Sequence, residues 1–349
     1  TDEAESLGVD VVGYVKGVAW GDIDNDGDLD LYVSRFTESN LLYRNDINDR
    51  NSSAFTEVGE EAGVTEPIRS FPTWFWDYDN DGWLDIFVSG YETSLKRAIA
   101  EDVASDYIGL PTDAEVPRVY RNLGTGIFAD QTRELRLDRV LYTMGCSFGD
   151  LDNDGWLDFY LGTGNPNLRS LMPNRMFRNN RGKNFQDVTT AGGFGHLQKG
   201  HGVGFADLDN DGDQDIYIVL GGAYTGDVFH NALYRNPGHG NHWITLRLEG
   251  TTSNRSAIGA RIELEFTEAG ESRTVHATVS TGSSFGGSSL QQELGMGTAA
   301  RVDRLSITWP TSKMVQNFYD LPVNKIYHIR EDADRVDPVA SLSFEVGGE

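Results

Sequence analysis

A nine-residue segment occurs four times in this chain of 349 residues, and no other feature limits the fold so strongly. The copies are Asp22-Ile23-Asp24-Asn25-Asp26-Gly27-Asp28-Leu29-Asp30, Asp77-Tyr78-Asp79-Asn80-Asp81-Gly82-Trp83-Leu84-Asp85, Asp150-Leu151-Asp152-Asn153-Asp154-Gly155-Trp156-Leu157-Asp158 and Asp207-Leu208-Asp209-Asn210-Asp211-Gly212-Asp213-Gln214-Asp215. Each has Asp at positions 1, 3, 5 and 9 and Gly at position 6. Carboxylates this close repel unless a cation lies between them, and oxygen donors suit a hard ion. Calcium takes about six to eight oxygens in flexible geometry, whereas magnesium demands a near-ideal octahedron and keeps its waters. The pattern predicts four calcium sites. Their ligands would be the side chains at positions 1, 3, 5 and 9 and, through the turn at glycine, the backbone carbonyl of position 7, which is Asp28, Trp83, Trp156 or Asp213.

These are not EF-hand loops. An EF-hand needs a bidentate Glu at position 12 and a helix on each side, but position 12 is Val33, Val88, Leu161 or Ile218. The flanks alternate with period two, as in Leu31-Tyr32-Val33 and Ile216-Tyr217-Ile218, so each loop joins two β-strands. The competing reading, acidic turns that only solubilise the protein, suits one copy far better than four in identical spacing.

The repeat is longer than its loop. An aromatic-Arg-Asn strand follows each one: Leu42-Tyr43-Arg44-Asn45, Val119-Tyr120-Arg121-Asn122, Met176-Phe177-Arg178-Asn179 and Leu233-Tyr234-Arg235-Asn236. A fourth strand comes next at Phe55-Thr56-Glu57-Val58, Phe128-Ala129-Asp130 and Phe185-Gln186-Asp187-Val188. Four short strands per unit is the layout of a propeller blade. Over residues 10–240 this combination resembles the FG-GAP/VCBS calcium-loop repeat family, which implies an all-β, calcium-binding β-propeller. Four repeats are clear and the total blade count stays open: further blades are degenerate, the C-terminal region completes the ring, or the native chain is longer. Thr1 to Gly8 reads as the end of a fourth strand, like Thr56 to Gly63.

Residues 91–116 interrupt the second unit. Within them Ser94 to Ala104 forms a short helix by the spacing of Leu95, Ile99 and Val103, ended by Gly109-Leu110-Pro111. It would either buttress one edge or act as a lid over the ring axis.

Beyond residue 240 the aspartate loops stop and longer strands begin, at Trp243 to Leu248, Ala260 to Phe266, Arg273 to Ser280 and Val302 to Thr308. Asn254 to Arg261, the Gly-Ser stretch running to Gly297, and Ile307-Thr308-Trp309-Pro310 together resemble an ASPIC/UnbV domain. That implies a second, β-rich unit over residues 241–330, followed by an acidic tail or late strand at 331–349. Ser256 and Gln292 depart from the resemblance, standing where an acidic residue and a basic or His position are expected.

A net charge of −25 excludes a nucleic-acid backbone or an anionic membrane surface as the main partner. No apolar run is long enough to span a bilayer, so no membrane insertion is expected. The single Cys146 rules out an intramolecular disulfide framework and reads as a small buried hydrophobe. Six residues before each loop stand Lys16, Phe71, Met144 and His201, on what would be the innermost strand of each blade. Lys16 and His201 would then meet near the ring axis, as hydrogen-bonded structural polar residues or as a catalytic pair. His196, His201, His230, His239 and His242 lack the spacing of a zinc site.

The leading expectation is a secreted, extracellular or periplasmic, calcium-stabilised propeller that binds a protein or glycan. Millimolar calcium outside cells would fill even weak sites. The alternatives are a bacterial secondary-metabolism enzyme with its site at the axis, and a surface-layer or filament component that self-associates by strand addition.

Overall fold

Alternating apolar residues on both sides of each aspartate loop build the same hairpin four times. The computed structural model describes residues 1–47, 55–91, 99–164, 172–222, 225–226, 229–340 and 343–344. Blade 1 is β1 (Val15–Gly21), β2 (Asp30–Arg35), β3 (Leu41–Asn45) and β4 (Phe55–Glu57). Blade 2 is β5 (Ser70–Trp76), β6 (Asp85–Gly90), β7 (Arg118–Asn122) and β8 (Phe128–Asp130). Blade 3 is β9 (Thr143–Gly149), β10 (Asp158–Thr163), β11 (Arg175–Asn179) and β12 (Phe185–Asp187). All three are antiparallel meanders in sequence order, with each loop joining the first strand to the second.

Blade 4 departs from this order. It has β13 (Gly200–Ala206), β14 (Asp215–Leu220) and β15 (Ala232–Tyr234), and then the chain leaves for the second domain. Its sheet gains a fourth member on the inner side instead, where the short strand Gly287–Ser288 pairs in parallel with β13.

The blades pack face to face, first against second, second against third, third against fourth. Period two in the strands sends alternate side chains to opposite neighbours. Phe75 and Ile86 thus join Ala19, Tyr32 and Leu42 of blade 1, while Trp74, Trp76 and Phe87 join Phe159, Leu161 and Phe177 of blade 3. Trp74 stacks on Phe87 with ring centroids 4.0 Å apart, and both are fully buried. Truncating a tryptophan in such a place costs about 3–5 kcal/mol. Tyr160 and Met176 meet Val203, Phe205, Ile216 and Ile218 of blade 4 in the same way.

Thr1 to Gly8 is not the end of a strand. Ala4–Leu7 (α1) is one helical turn closed by Gly8 at φ 75°, and it repeats the turn Gly59–Ala62 (α2) closed by Gly63 at φ 79°. The likeness to Thr56–Gly63 therefore lies in the turn after the fourth strand. Only glycine takes such a positive φ without strain. The inserted helix, α3, is described over Ile99–Tyr107 and runs past the Ala104 end that its sequence spacing suggests, while residues 94–98 of that expectation lie outside the described residues. It is fastened as a buttress. Val103 packs on Val140, Tyr142 and Met172, and the buried Asp102 accepts hydrogen bonds from Tyr142 (2.9 Å) and Thr112 (3.0 Å).

The second domain contains β16 (His242–Glu249), β17 (Arg261–Glu268), β18 (Glu271–Thr278), the Gly287–Ser288 strand as β19, β20 (Gln292–Gly297), β21 (Arg301–Thr308), β22 (Val315–Pro322), β23 (Lys325–Arg330) and β24 (Pro338–Val339). One sheet runs β18-β17-β21-β22 and the other β20-β16-β23-β24. Their inner faces share one core, in which Ile244, Leu246 and Tyr327 meet Leu264, Phe266, Leu305 and Trp309. Glu331 closes it. Its carboxylate accepts the amides of Thr251, Thr252 and Ser253 at 2.6–2.8 Å and the hydroxyls of Ser253 and Ser312 at 2.9 and 2.6 Å.

Candidate metal centres

All four loops fold alike because two backbone positions and four hydrogen bonds recur. Asn at position 4 has φ between 54° and 62°, and Gly at position 6 has φ between 84° and 95°. This double left-handed bend curls the loop around its own carboxylates. The position-1 carboxylate accepts the glycine amide: Asp22 from Gly27 at 3.0 Å, Asp77 from Gly82 at 2.8 Å, Asp150 from Gly155 at 2.8 Å, and Asp207 from Gly212 at 3.0 Å. Position 5 accepts the amide of position 7, at 2.8–3.0 Å in every loop. Position 9 is held from two sides, by the position-2 amide and by the amide of the Asn in the third strand. For Asp158 these are Leu151 at 3.1 Å and Asn179 at 2.8 Å.

The result in each loop is a cluster of converging carboxylate oxygens. Asp22, Asp24 and Asp30 bring ligand atoms within 4.8 Å of one another, as do Asp77, Asp79 and Asp85, and Asp150, Asp152 and Asp158. In the fourth loop the close set is Asp207, Asp209 and Asp211. Each cluster holds a buried carboxylate oxygen without a hydrogen-bond partner: Oδ1 of Asp22, Asp79, Asp152 and Asp209. Burial, with the adjoining carboxylates adding to it, pushes Asp22 up to about 6, Asp30 and Asp207 to about 7 and Asp77 to about 8. Asp85, Asp150 and Asp158 are pushed well above the usual carboxylate range for the same reason. An unpartnered buried anionic oxygen is costly, and a bound cation reverses that cost. The donor set is all oxygen and fits a hard divalent ion such as calcium.

The arginine of the third strand, seen in the sequence only as a recurring residue, completes three of the sites. Arg121 donates to Asp79 (2.6 Å) and Asp81 (2.7 Å), and Arg178 to Asp152 (2.6 Å) and Asp154 (3.3 Å). Arg235 donates to Asp209 at 2.8 Å. Each guanidinium holds Oδ2 of position 3 and leaves Oδ1 turned inward. Loop 1 differs, for Arg44 turns away to Asp46 at 2.7 Å and Asp24 stays exposed.

The side chains at position 7 make contacts of their own. Trp83 lies against Gly124 and Trp156 against Gly182, each too close for a larger residue to replace the glycine without movement. Asp213 accepts a hydrogen bond from Asn153 at 2.9 Å.

The second domain sits on this loop face and touches every loop. Lys313 donates to the Asp26 carbonyl at 3.3 Å, Arg261 to the Gly82 carbonyl at 3.1 Å, and Arg273 to the Asp154 carbonyl at 2.9 Å. Glu293 accepts the Asp207 amide at 3.2 Å. From the same domain, Ser280–Ser289 passes between the innermost strands. Ser284 exchanges hydrogen bonds with the Thr73 backbone (2.9 and 3.1 Å), Cys146 donates its amide to the Phe285 carbonyl at 3.3 Å, and Phe285 packs on Phe71. Cys146 is fully buried beside the Ser283 hydroxyl, and burial carries its thiol far above the usual range.

Lys16, Phe71 and Met144 do converge at the far end of the inner strands, but Lys16 is engaged structurally. Its ammonium donates to the Tyr14 hydroxyl at 2.8 Å and lies over the Tyr14 and Phe71 rings at 4.1 and 4.8 Å. The His201 carbonyl presses on Gly145 and Gly162, where no side chain fits. Between the plug, the blades and the second domain there remains a cavity of about 100 Å³, lined by Trp20, Trp76, Phe148, Arg261 and His276. Ligand pockets usually enclose about 300–1,000 Å³.

The FG-GAP-like repeat family matches residues 22–88, 77–161 and 163–218, and the ASPIC and UnbV family matches residues 250–336. Cartilage acidic protein 1 of Homo sapiens is 24% identical over 361 aligned positions, covering 99% of this chain and 49% of that protein. Cartilage acidic protein 1 of Xenopus tropicalis is 23% identical over 260 positions, covering 57% of this chain and 39% of that protein. The chain thus spans about half, or less, of the length of these curated relatives. With its repeats matched over more than half of its residues, the chain belongs to the FG-GAP-like repeat proteins and carries an ASPIC and UnbV domain behind its blades.

Proposed function

We propose that this protein is a calcium-loaded binding module that works outside the cytoplasm, where it recognises a protein or glycan. The observation that carries the reading is the set of four buried, unpartnered carboxylate oxygens, one per loop, under a second domain that contacts all four loops. Asp22, Asp24 and Asp30 and their counterparts would hold the ions. A bound ion supplies charge neutralisation and a rigid cross-link within the loop. The residues of this chain do the rest: Arg121, Arg178 and Arg235 orient position 3, and Arg261, Arg273 and Lys313 seat the second domain on the loops so formed. Sites of the weak class, about 10⁻⁴–10⁻³ M, fill at extracellular calcium levels, and the curated relatives bear a name that refers to cartilage.

The axial cavity, about 100 Å³ beneath the Ser280–Ser289 segment, favours binding over an enzyme at the axis. No helix among the described residues is long and apolar enough to cross a membrane. The test is a screen of immobilised extracellular-matrix proteins and glycans with the full chain, in millimolar calcium and in excess chelator. Saturable capture that chelation abolishes is expected. Capture unchanged by chelation, or none on any surface, would sink the reading.

A further inference from the structure

Three blades end in a strand of one chemistry, and among the described residues the fourth blade lacks it. In blades 1, 2 and 3 the outer strand pairs antiparallel with the third strand in a fixed register, Asn45 opposite Phe55, Asn122 opposite Phe128, and Asn179 opposite Phe185. An acidic residue follows two positions later, opposite the aromatic residue of the third strand. In blades 2 and 3 a threonine stands two further on, and its hydroxyl accepts an edge amide: Thr132 from Val119 and Thr189 from Met176, both at 3.0 Å. The carbonyls of those edge residues accept Gln131 at 2.9 Å and Val188 at 3.0 Å.

Blade 4 carries the receiving half of this arrangement. By register, Leu233 matches Val119 and Met176, so its amide and carbonyl face outward from β15, the edge of its sheet. Leu233 is 38% exposed. The residue six after Asn236, where Phe128 follows Asn122 and Phe185 follows Asn179, is His242, and it has been taken into the second domain as the start of β16. The socket for the missing aromatic ring is present. Phe185 is buried beside Trp76 and Tyr78 of the preceding blade. The equivalent space beside β15 is a cavity of about 750 Å³ lined by Leu151, Met176, Val188, Phe194 and Tyr234. Leu151 holds the same loop position there as Tyr78 does for Phe185.

We propose that blade 4 accepts an extended Phe-X-Asp/Glu peptide from another polypeptide, as an added antiparallel strand on β15 with its phenylalanine opposite Asn236 and seated in this socket. Main-chain hydrogen bonds from Leu233 provide the pairing, and the socket provides the selectivity. The three intact blades define what fits. This names a partner class for the binding reading above, on which it rests, and because Asp152 and Asp158 of the third loop also line the cavity, its test is made in saturating calcium.

The probe is a fluorescein-labelled synthetic peptide with the sequence of residues 183–191, Lys-Asn-Phe-Gln-Asp-Val-Thr-Thr-Ala, titrated into the full chain in saturating calcium. Saturable binding is expected, weakened at least tenfold when the peptide's Phe becomes Ala. In the protein, Leu233→Pro removes the outward amide at an edge where proline is tolerated, and binding should vanish while the calcium-dependent melt stays. If that variant unfolds, the peptide substitution alone decides. Absence of saturable binding, or equal binding by the Ala peptide, overturns the proposal. So does a dimer of the peptide-free protein that Leu233→Pro dissolves, since a second copy would then fill the edge. A retained calcium response without peptide binding rejects this site and leaves the calcium-dependent reading standing.

Discussion

Asn80 reaches from the second aspartate loop to the third, its side-chain amide donating to the Gly155 carbonyl at 2.8 Å. Asn25 donates likewise to Gly82 at 3.2 Å and Asn153 to Gly212 at 3.0 Å, so each of these loops is tied to the next at the residue that forms its turn. A second set of ties runs backward, with Asn122 donating to the Ile23 carbonyl, Asn179 to Tyr78 and Asn236 to Leu151, at 2.7–2.9 Å. The aspartate loops are therefore hydrogen-bonded parts of one face. Asn80 also accepts the His276 amide at 3.1 Å, which joins that face to the second domain.

Substitution at Asn80 separates these contributions. Asn80→Gly keeps the left-handed backbone and loses two side-chain hydrogen bonds, one to the Gly155 carbonyl and one from the His276 amide, so it should cost about 1–3 kcal/mol at about 0.5–1.5 kcal/mol each. Asn80→Ala adds strain at φ 54° and should cost at least about 1 kcal/mol more. Urea melts in saturating calcium read the difference. Equal losses would show that the backbone relaxes.

Chelation should destabilise the whole assembly. An ion that binds only the folded chain adds about 2.7 kcal/mol at a hundredfold excess over its Kd, so four would add roughly 11 kcal/mol. Scanning calorimetry with and without chelator should show melts separated by more than about ten degrees. Superimposed melts would remove the metal from the account.

Loop 1 should be the weakest site. Arg44 pairs with Asp46 rather than orienting Asp24, and the Lys313 ammonium lies 3.8 Å from Asp28. Calorimetric titration should resolve one weak step, which Asp24→Ala removes. Trp83→Ala, at a position expected to bind through its carbonyl, should keep the second loop's calcium. Loss of a tight step in the Asp24 variant would reverse the order of sites.

The Ser280–Ser289 plug should be intolerant of added bulk. A Cβ on Gly286 would collide with the carbonyls of Cys146 and Val203, both backbone atoms in neighbouring strands. Gly286→Ala should cost about 1–3 kcal/mol, as overpacking does, while calcium stoichiometry stays the same. A melt identical to that of the unsubstituted chain would mean that the segment does not sit between the blades in solution.

Much of this was legible in the sequence, for local reasons. Loop ligands, turn glycines and period-two strands depend on residues within a dozen positions of one another, so spacing alone displays them. What stayed hidden needs a partner from another repeat. The position-4 asparagines recur in plain view, but their acceptors lie 57–75 residues away. Arg121, Arg178 and Arg235 recur just as plainly, yet nothing local says that they face the loops. Ser280–Ser289 belongs to the Gly-Ser stretch that carries the ASPIC/UnbV resemblance, but glycine and serine show no periodicity that would place it, and its order comes from the strands around it. One signal was present and unused: His242 stands where the other repeats have phenylalanine, which marks the outer fourth strand that blade 4 lacks among the described residues.

Glu331 provides a pH test away from the metal loops. Burial alone would raise its pKa. The hydrogen bonds from Ser312, Ser253 and Thr251 outweigh that and hold it at about 2, below an ordinary value of 4.5. A carboxylate whose pKa is depressed by folding stabilises the native state above its unfolded pKa and loses that contribution as pH falls through the folded one. Glu331 should thus contribute fully above about pH 4.5 and nothing below about pH 2. Glu331→Gln removes the charge while keeping the shape, leaving three amides and three hydroxyls around a weaker acceptor. The stability gap between the unsubstituted chain and this variant, from urea melts at a series of pH values, should be constant near neutrality and close progressively between pH 4.5 and 2. A gap that does not change over that interval would show that Glu331 acts through packing and not through its charge.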